Sequence, residues 1–461
     1  MNMHRLTLRS ITLVVFETVL IVAAIAAAAY IRLGDWNWLF TDTGIWKTLL
    51  VAAVAQGCLY YADLYDLRLV ADRRELFVRV VQALAAASFL LALVYYWFEE
   101  ELVIGRGVFA IASVFVISLA IGWRLVFVWL SRRVSPRERL LLVGTNAAAV
   151  TLAQEIFDRR DELGVEIVGF VDPDPSKVGT SLINPGIVGT IEEIPEIVRS
   201  RSVDRVVVSL ADARGKLPMD KLLDMKLNGV TFDHLASVYE EYTGKIAVDN
   251  LRPSWLIFSS GFKKSHVLAT AKRALDLFVA GVGFVFALPV GALVALAVKV
   301  TSKGPIFYHQ RRVGLNGQIF TVHKFRTMRP DAEAASGPVW ASKAGDPRVT
   351  PIGRMMRRTR LDELPQLWNV LIGEMSFVGP RPERPEFVSE LTHQIPYYGQ
   401  RHVVRPGLTG WAQVRYTYGA SKEDALQKLQ YDLFYIKNLS LSLDLFIILE
   451  TVKTVVLRRG A

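Results

Sequence analysis

The feature that most constrains the fold is a set of five long apolar runs, four of which fill the first third of the chain. Each approaches or exceeds the roughly 20 residues that cross the hydrocarbon core of a bilayer. The four N-terminal runs cover about 11–31, 46–62, 76–98 and 103–130, and the fifth covers about 274–298. The second run is the shortest. These runs predict a membrane protein with four N-terminal transmembrane helices.

Basic residues between the runs predict the orientation of the four helices, because cytoplasmic loops are enriched in lysine and arginine. The cations lie before the first run, between the second and third, and after the fourth: Arg5, Arg9, Arg68, Arg73, Arg74, Arg132, Arg133, Arg137 and Arg139. The loop between the third and fourth runs contains three glutamates, at 99–101. Both ends of the four-helix segment are therefore predicted to face the cytoplasm.

Three charged residues lie near or inside the runs and are candidates for interhelical ion pairs, namely Glu17, Arg79 and Arg124. For the two arginines, a position at a helix end is the favoured interpretation.

The chain has a single cysteine, Cys58, which lies within an apolar run. One cysteine excludes an intrachain disulfide and a cysteine-based zinc site, and it suits a reducing compartment.

The formal net charge of +10 is compatible with nucleic acid, anionic lipid or phosphorylated small molecules as partners. The chain contains no zinc-finger, RNA-recognition or helix-turn-helix signature. Membrane lipid and a nucleotide substrate are therefore the expected partners, and nucleic acid is not.

Residues 136–250 show an α/β pattern. A buried strand starts at Arg139 and ends in the turn Gly144-Thr145-Asn146, a helical stretch covers 147–160, and further strands cover 165–171 and 204–210. Strands that alternate with helices predict a parallel, doubly wound, Rossmann-like sheet. The turn has only the first glycine of the dinucleotide-binding fingerprint. A structural, regulatory or dimerisation role is therefore favoured over nucleotide binding.

The fifth run is flanked by cations on both sides, Lys272 and Arg273 before it and Lys299 and Lys303 after it. The basic-residue rule places both flanks in the cytoplasm. Pro289 interrupts helical hydrogen bonding in mid-run. We therefore predict a re-entrant, helix-break-helix segment over 272–299. The alternative is an ordinary span with a proline kink.

Two adjacent carboxylates, Asp362 and Glu363, stand between Arg360 and Pro365, and the upstream segment Lys324-Phe-Arg326 places further cations beside an apolar residue. A carboxylate flanked by cations suits a site at which a phosphate is bound and attacked. The alternative is a helix start, with Asp362 as N-cap and Glu363 favourable to the helix dipole.

A predicted hairpin precedes this pair, with extended segments over 304–314 and 320–326 around the turn Leu315-Asn316-Gly317. It is expected to bring Arg311 close to Lys324.

Arginines at helical spacing follow, at 354, 357, 358 and 360, and are expected to contact lipid headgroups or a nucleotide. Arg381 lies between two prolines that fix its neighbours' φ angles, which suits a phosphate contact.

The segments 360–370, 376–382 and 405–414, with 431–444, resemble the bacterial sugar transferase family. Its members are monotopic phosphoglycosyl transferases, which move a sugar 1-phosphate from a nucleotide sugar to a polyprenyl phosphate. The resemblance covers about 272–461, and the layout of the whole chain is similar to the longer, polysaccharide-initiating branch. Three domains are expected: transmembrane helices at 1–135, a Rossmann-like cytoplasmic domain at 136–250, and an α-rich catalytic domain at 251–461.

The resemblance implies that Asp362 is the nucleophile and that Glu363 assists a Mg²⁺ ion. Asp432 is implied either as a further metal ligand or as a residue that orients an arginine. The implied substrate and phosphate contacts are Arg311, Lys324, Arg326, Arg360, Arg381, Arg401 and Arg405. The C-terminal apolar run at 441–457 is expected to be an interfacial amphipathic helix.

The implied activity is transfer from a UDP-sugar to undecaprenyl phosphate through a covalent aspartyl intermediate, at the cytoplasmic face of a bacterial inner membrane. This step would initiate an exopolysaccharide or O-antigen repeat. A homodimer is a further expectation. Two alternatives remain open, a membrane-bound NAD-dependent nucleotide-sugar dehydratase or epimerase and a non-catalytic scaffold of polysaccharide machinery. The transferred sugar is not identified by the sequence.

Overall fold

The structure is a computed structural model, and its description covers the residues 8–35, 40–62, 64–65, 73–97, 106–134, 138–181, 185–209, 219–248, 259, 261–262, 265–330, 332, 346, 348–416, 419 and 421–456. The chain divides into two compact units, Met1–Val238 and Tyr239–Ala461, which are described separately below. The three-domain partition with boundaries at 135 and 250 stays a prediction.

The first unit begins with four long helices, as the apolar runs predict: α1 (Leu8–Leu33), α2 (Asp42–Tyr61), α3 (Arg73–Trp97) and α4 (Arg106–Val134). Buried alanines such as Ala24, Ala28, Ala83 and Ala112 lie in their shared core, which allows the backbones to approach closely. Large apolar side chains such as Phe89 remain exposed on the outside. Within the described residues, segments of α1, α3 and α4 are long and apolar enough to cross a membrane, and α2 does not meet that criterion.

The orientation of these helices stays a prediction. Except for Arg139, the cations on which it depends, or their side chains, lie outside the described residues, and so do the three glutamates at 99–101.

One ion pair is fully enclosed by the four helices. Arg124 donates to both carboxylate oxygens of Glu17, at 2.5 and 2.9 Å, and also to the carbonyl of Leu64. Arg124 is 0% exposed, so its predicted position at a helix end is wrong, because it joins α4 to α1. Arg79 donates to the Ala62 carbonyl (3.3 Å), just past the end of α2, as a helix-end position predicts.

The first unit then forms the predicted parallel sheet. Its strands are β1 (Glu138–Val143), β2 (Val165–Val171), β3 (Ile187–Gly189), β4 (Arg205–Val208) and β5 (Thr231–His234), in the order β3-β2-β1-β4-β5. The helices between and after them are α5 (Ala147–Asp158), α6 (Arg160–Leu163), α7 (Ile194–Ser200), α8 (Met219–Leu227) and α9 (Leu235–Thr243). This is a Rossmann-like, doubly wound arrangement. The boundary between the two units falls within α9.

Polar side chains at the carboxyl edge of this sheet bond to one another. Asn146 caps α5 by accepting from the Ala149 amide and donates to Ser209 at 2.7 Å. Thr145 donates to Asp172, which also bonds Lys177 at 3.3 Å. In sheets of this type the edge is where ligands bind. Here the described side chains are engaged within the protein.

The second unit is mostly helical, with a hairpin and a short two-stranded sheet. Its helices are α10 (His266–Thr301), α11 (Pro351–Thr359), α12 (Gln366–Ile372), α13 (Pro385–Gln394), α14 (Trp411–Arg415), α15 (Lys422–Lys437) and α16 (Leu441–Val456). The hairpin strands are β6 (Phe307–Val313) and β7 (Ile319–Phe325), and β8 (Ser376–Val378) pairs in parallel with β9 (Gly407–Thr409). The predicted hairpin and its turn are therefore confirmed.

Helix α10 contains the fifth apolar run and continues through Pro289 over 36 residues. The predicted break is wrong, because an internal proline removes one hydrogen bond and bends a helix without having to end it. One face of α10 packs against the rest of the second unit. Ala280 lies in an apolar cluster with Leu367 and Val370, and Val298 lies in another with Met356. The opposite face is exposed and apolar, and includes Phe278, Phe286, Leu293 and Val300.

Candidate active site

The paired carboxylates lie in a tight turn between two helices. Helix α11 begins at a Thr350 cap, and Gly353 in its first turn allows the helix to approach the backbone of Thr327. A Cβ at 353 would lie 2.1 Å from that carbonyl oxygen. Arg360 ends α11 in the left-handed conformation (φ 57°). A single 3₁₀ turn over Leu361–Glu363 follows and leads into α12.

Glu363 is surrounded by cations. Its Oε1 accepts from Arg381 at 2.5 Å and from Lys324 at 3.1 Å, and Arg360 lies 3.9 Å away. Burial opposes ionisation, yet the charges of Arg381, Lys324 and Arg360 hold the pKa of Glu363 well below its ordinary value. The carboxylate is therefore ionised, and it fixes the positions of two cations that sequence analysis assigned to phosphate.

Asp362 is placed differently from its neighbour. Its Oδ1 is buried and has no hydrogen-bond partner among the described residues. No side-chain cap is present at the start of the 3₁₀ turn or of α12, so the alternative interpretation of Asp362 as an N-cap is wrong. Burial, and next the charge of Glu363, raises the pKa of Asp362. A poorly solvated carboxylate with an unused oxygen is suited to nucleophilic attack.

The two carboxylates are covered, each with 8% of its surface exposed. Their surroundings are polar, because the side chains of Arg360 and Arg381 are 38% and 28% exposed. The guanidinium groups of Arg360 and Arg381 therefore connect the covered carboxylates to the protein surface. An anionic ligand could approach the carboxylates along them.

A second, buried ion pair, between Arg401 and Asp432, supports the backbone of Arg381. Arg401 donates to the Arg381 carbonyl at 3.0 Å, to the Tyr398 hydroxyl at 2.7 Å and to Asp432 at 2.7 Å. Burial raises the pKa of Asp432 to about 6 against the opposing charge of Arg401. Of the two roles proposed for Asp432, the structure shows the orienting one, and the metal role stays a prediction.

A small cleft opens beside this support. Pro380, Arg381, Pro382, Arg401 and His402 line it. Burial and the adjacent Arg401 charge lower the pKa of His402 to about 4, so its imidazole is neutral at physiological pH. The cleft is therefore lined by Arg381, which is fixed in position, and by the neutral imidazole of His402, which can form hydrogen bonds.

The predicted proximity of Arg311 to Lys324 on the hairpin is wrong. Lys324 pairs with Tyr308 across the strands, whereas Arg311 pairs with Thr321, so Arg311 and Lys324 point to opposite faces. Side chains alternate along a strand, and Arg312 is the residue on the Lys324 face. Arg312 bonds to the Pro382 carbonyl (3.0 Å) and thereby secures the loop that contains Arg381.

Two other predicted phosphate contacts, Arg326 and Arg405, have partners within the protein, and their contact with phosphate stays a prediction. Arg326 is 6% exposed and donates to the carbonyls of Ser302 (2.9 Å) and Lys303 (3.0 Å), so that it caps the end of α10. Arg405 donates to the Gly373 carbonyl (2.9 Å) at the end of α12. The last carbonyls of a helix lack intrahelical partners and attract cations, which a motif does not reveal.

Two residues that sequence analysis did not select are close to the site. Arg273 donates to the carbonyls of Val370 (2.7 Å) and Leu371 (2.8 Å), so the start of α10 is joined to the helix that follows the carboxylates. Gln366 is 3% exposed, and its Nε2 has no partner in the described part of the chain. The available signal for Gln366 is its position four residues after Asp362, a spacing that brings side chains to one side of a continuous helical segment.

No group of three or more histidine, cysteine or acidic side chains arranged to hold a metal ion occurs among the described residues. A divalent ion at this site would therefore depend on one or two carboxylates and on ligand phosphates, which is the way Mg²⁺ is usually bound. Asp362, with its unused oxygen, fits such a role, and Glu363 lies beside it.

Comparison with protein families gives two matches. Residues 267–458 match the family described as bacterial sugar transferase, and residues 61–217 match a family described as a CoA-binding domain. The first match covers α10 from its second residue onward and every residue of the site described above.

Curated relatives match over longer stretches. A UDP-N-acetylgalactosamine-undecaprenyl-phosphate N-acetylgalactosaminephosphotransferase of Aeromonas hydrophila is 38% identical, over 50% of this chain and 53% of its own length. An undecaprenyl-phosphate glucose phosphotransferase of Komagataeibacter xylinus is 34% identical, over 70% of this chain and 60% of its own length. A UDP-glucose:undecaprenyl-phosphate glucose-1-phosphate transferase of Escherichia coli K12 is 32% identical, over 77% and 75%. The chain thus spans little more than half the length of the first two relatives.

Proposed function

Because the chain belongs to the bacterial sugar transferase family, we propose that it transfers a sugar 1-phosphate from a UDP-sugar to undecaprenyl phosphate. This would be the first membrane step of an exopolysaccharide or O-antigen repeat. The observation that supports the proposal most directly is Asp362, a carboxylate with an unused oxygen beside cations that Glu363 holds in place. Such a group is suited to form and release a bond to phosphorus.

The proposed reaction has two displacements. In the first, an oxygen of Asp362 attacks the phosphorus bonded to the sugar, the bond from that phosphorus to the bridging oxygen breaks, and UMP leaves. In the second, a phosphate oxygen of undecaprenyl phosphate attacks the aspartyl-bound phosphorus, and the Asp362 carboxylate is released unchanged. Lys324, Arg360 and Arg381 offset charge on the phosphates, since positioning and charge stabilisation dominate phosphoryl transfer. The product is an undecaprenyl diphosphosugar.

We include Mg²⁺ in the proposal because the carboxylates of the site, with substrate phosphates, are the ligands by which this ion is usually bound. Asp362 and Glu363 would hold the ion together with the phosphates of the substrate. When bound, it would offset charge on the departing UMP.

The direct test is release of UMP from a panel of UDP-sugars by the full-length protein in lipid nanodiscs. We expect release with one or a few sugars, dependence on Mg²⁺, and sustained turnover only when undecaprenyl phosphate is present. A chelator should abolish release, and added Mg²⁺ should restore it. Absence of UMP release with every sugar would contradict the proposal, and tightly bound NAD in such a protein would favour the dehydratase alternative.

The membrane arrangement of α10 is part of the same proposal. We propose that the helix lies in the cytoplasmic leaflet without crossing the bilayer, which puts the carboxylates at the depth of the lipid phosphate. Both ends bond to the same compact unit: Lys272 pairs with Asp444 at 2.7 Å, and Ser302 with Arg326 at 2.8 Å. A spanning helix would draw the charged site packed along it into hydrocarbon, at high cost. The exposed face of α16, with Leu445 and Leu449, would lie on the same surface.

This arrangement makes a labelling prediction. In a Cys58→Ser background, single cysteines replacing the exposed His266 and Thr301 should both react with a membrane-impermeant maleimide in inverted vesicles. Neither should react in intact spheroplasts. A cysteine at Glu100, in the loop predicted to face outward, is the control with the opposite pattern. Labelling of one end from each side would show that α10 spans the bilayer.

A further inference from the structure

Two buried polar atoms without partners belong to residues four apart in the sequence at the site. Within the described residues, Asp362 Oδ1 and Gln366 Nε2 both lack a hydrogen bond, in side chains that are 8% and 3% exposed. One atom is an acceptor and the other a donor. Buried polar groups are nearly always paired in folded proteins, so two such atoms at one place require an explanation.

The backbone puts the two side chains on one side of the same segment. After the 3₁₀ turn that contains Asp362, Leu364 (φ −52°, ψ −39°) and Pro365 (φ −63°, ψ −17°) keep helical angles, and α12 begins at Gln366. Residues four apart in a helical segment are neighbours on its surface. Gln366 therefore follows Asp362 by about one helical turn of backbone.

We propose that Gln366 contacts the substrate: its Nε2–H donates to a non-bridging oxygen of the phosphoryl group that Asp362 attacks. The inference rests on the proposed function and names a further residue for that reaction. A phosphoryl oxygen is an acceptor, and a fixed donor in a poorly solvated site stabilises the charge that develops on it.

A neutral donor would add to the charge that the nearby cations supply, because several of those cations also have partners within the protein. Lys324 and Arg381 bond to Glu363, and Arg357 donates to Thr327 at 3.0 Å. In two other glutamines of the second unit, Gln413 and Gln430, the buried atom without a partner is the acceptor oxygen and not the donor. Among the described glutamines with an unpartnered atom, Gln366 therefore has the polarity that a phosphoryl oxygen requires.

The test compares Gln366→Met, which keeps the length and removes the polar atoms, with Gln366→Glu, which replaces the donor by an acceptor. Each full-length variant is measured in nanodiscs for kcat and KM of UMP release and for thermal unfolding. For Gln366→Met we expect kcat to fall about 10²- to 10³-fold, as for loss of one oxyanion donor, with KM changed less than about twofold. The glutamate variant should be less active still.

Thermal unfolding separates this role from a structural one. Removing a buried donor that has no partner should leave the unfolding temperature of Gln366→Met equal to or above that of the unchanged protein. Gln430→Met, which removes an unused atom elsewhere, should keep normal kcat. A kcat within twofold of normal, a rise in KM alone, or a fall in unfolding temperature that accompanies the lost activity would each overturn the inference. Absence of UMP release by the unchanged protein would instead contradict the proposed function itself.

Discussion

Replacing Asp362 by asparagine is expected to abolish sugar-phosphate transfer while the protein still folds and inserts. An amide nitrogen or oxygen cannot replace a carboxylate as a nucleophile towards phosphorus, and loss of a covalent nucleophile typically lowers kcat by 10³-fold or more. Burial raises the pKa of Asp362, so an uncharged residue of the same shape should leave stability unchanged or higher. Because only the ionised form attacks, normal transfer should also decline as the pH falls through that raised pKa.

The measurement for Asp362→Asn is UMP release together with acid-quench trapping of a radiolabelled UDP-sugar. The unchanged protein should retain label on the chain, and the variant should not. Asp424→Asn is a matched control, because Asp424 caps α15 with Ser421 and asparagine can accept the same bond. Labelled, active Asp362→Asn protein would exclude Asp362 as the nucleophile.

Replacing Asp432 by alanine is expected to produce the largest loss of stability among changes to the second unit that we consider. Arg401 is 5% exposed, and without Asp432 its charge would be buried and only partly compensated. Removing one partner of a buried pair typically costs about 3–5 kcal/mol. For a folded unit of this size the unfolding temperature should fall on the order of 10 °C. Activity should fall with it, because Arg401 supports the Arg381 carbonyl.

Two comparisons make the Asp432 result interpretable. Joint replacement of Arg401 and Asp432 by leucine should recover part of the stability, since no unpaired charge remains. Glu155→Ala, which removes the exposed partner of Arg159, should have little effect on unfolding. If Asp432→Ala lost activity at unchanged stability, the residue would act as a metal ligand or substrate contact and not as an orienting group.

Much of the fold could be predicted because it depends on patterns that local physics enforces. Four apolar runs gave four helices, alternation of strands and helices gave a parallel sheet, and Asn316-Gly317 gave a hairpin turn. Asn316 adopts a positive φ of 54° in that turn, as the motif requires. The location of Asp362 and Glu363 in a cationic turn was also predictable from the motif.

Sequence is least informative about residues whose partners are distant along the chain. Arg326 and Arg405 each bond to a backbone carbonyl next to a helix end, and their contact with phosphate stays a prediction. Arg124 lies in an apolar run, and only the packing of α1 against α4 reveals Glu17 as its partner. The sequence does not specify the strand register, which puts Arg312, and not Arg311, on the face of Lys324. A one-residue difference reverses the face of a strand.

Helix α10 is part of the apolar core of the second unit, and this affects how such an enzyme would work in a cell. Ala280 and Val294 of α10 lie in the same apolar clusters as Leu367 and Met356, so removing the helix would leave those side chains facing water. Under the proposed function, membrane anchor and catalytic site are therefore one folding unit, and proteolysis before His266 would not release an active soluble fragment. Under the proposed function, enzyme and lipid acceptor meet by lateral diffusion in a plane. The rate of repeat-unit initiation would then follow the number of molecules per membrane area, and not their concentration in the cytoplasm.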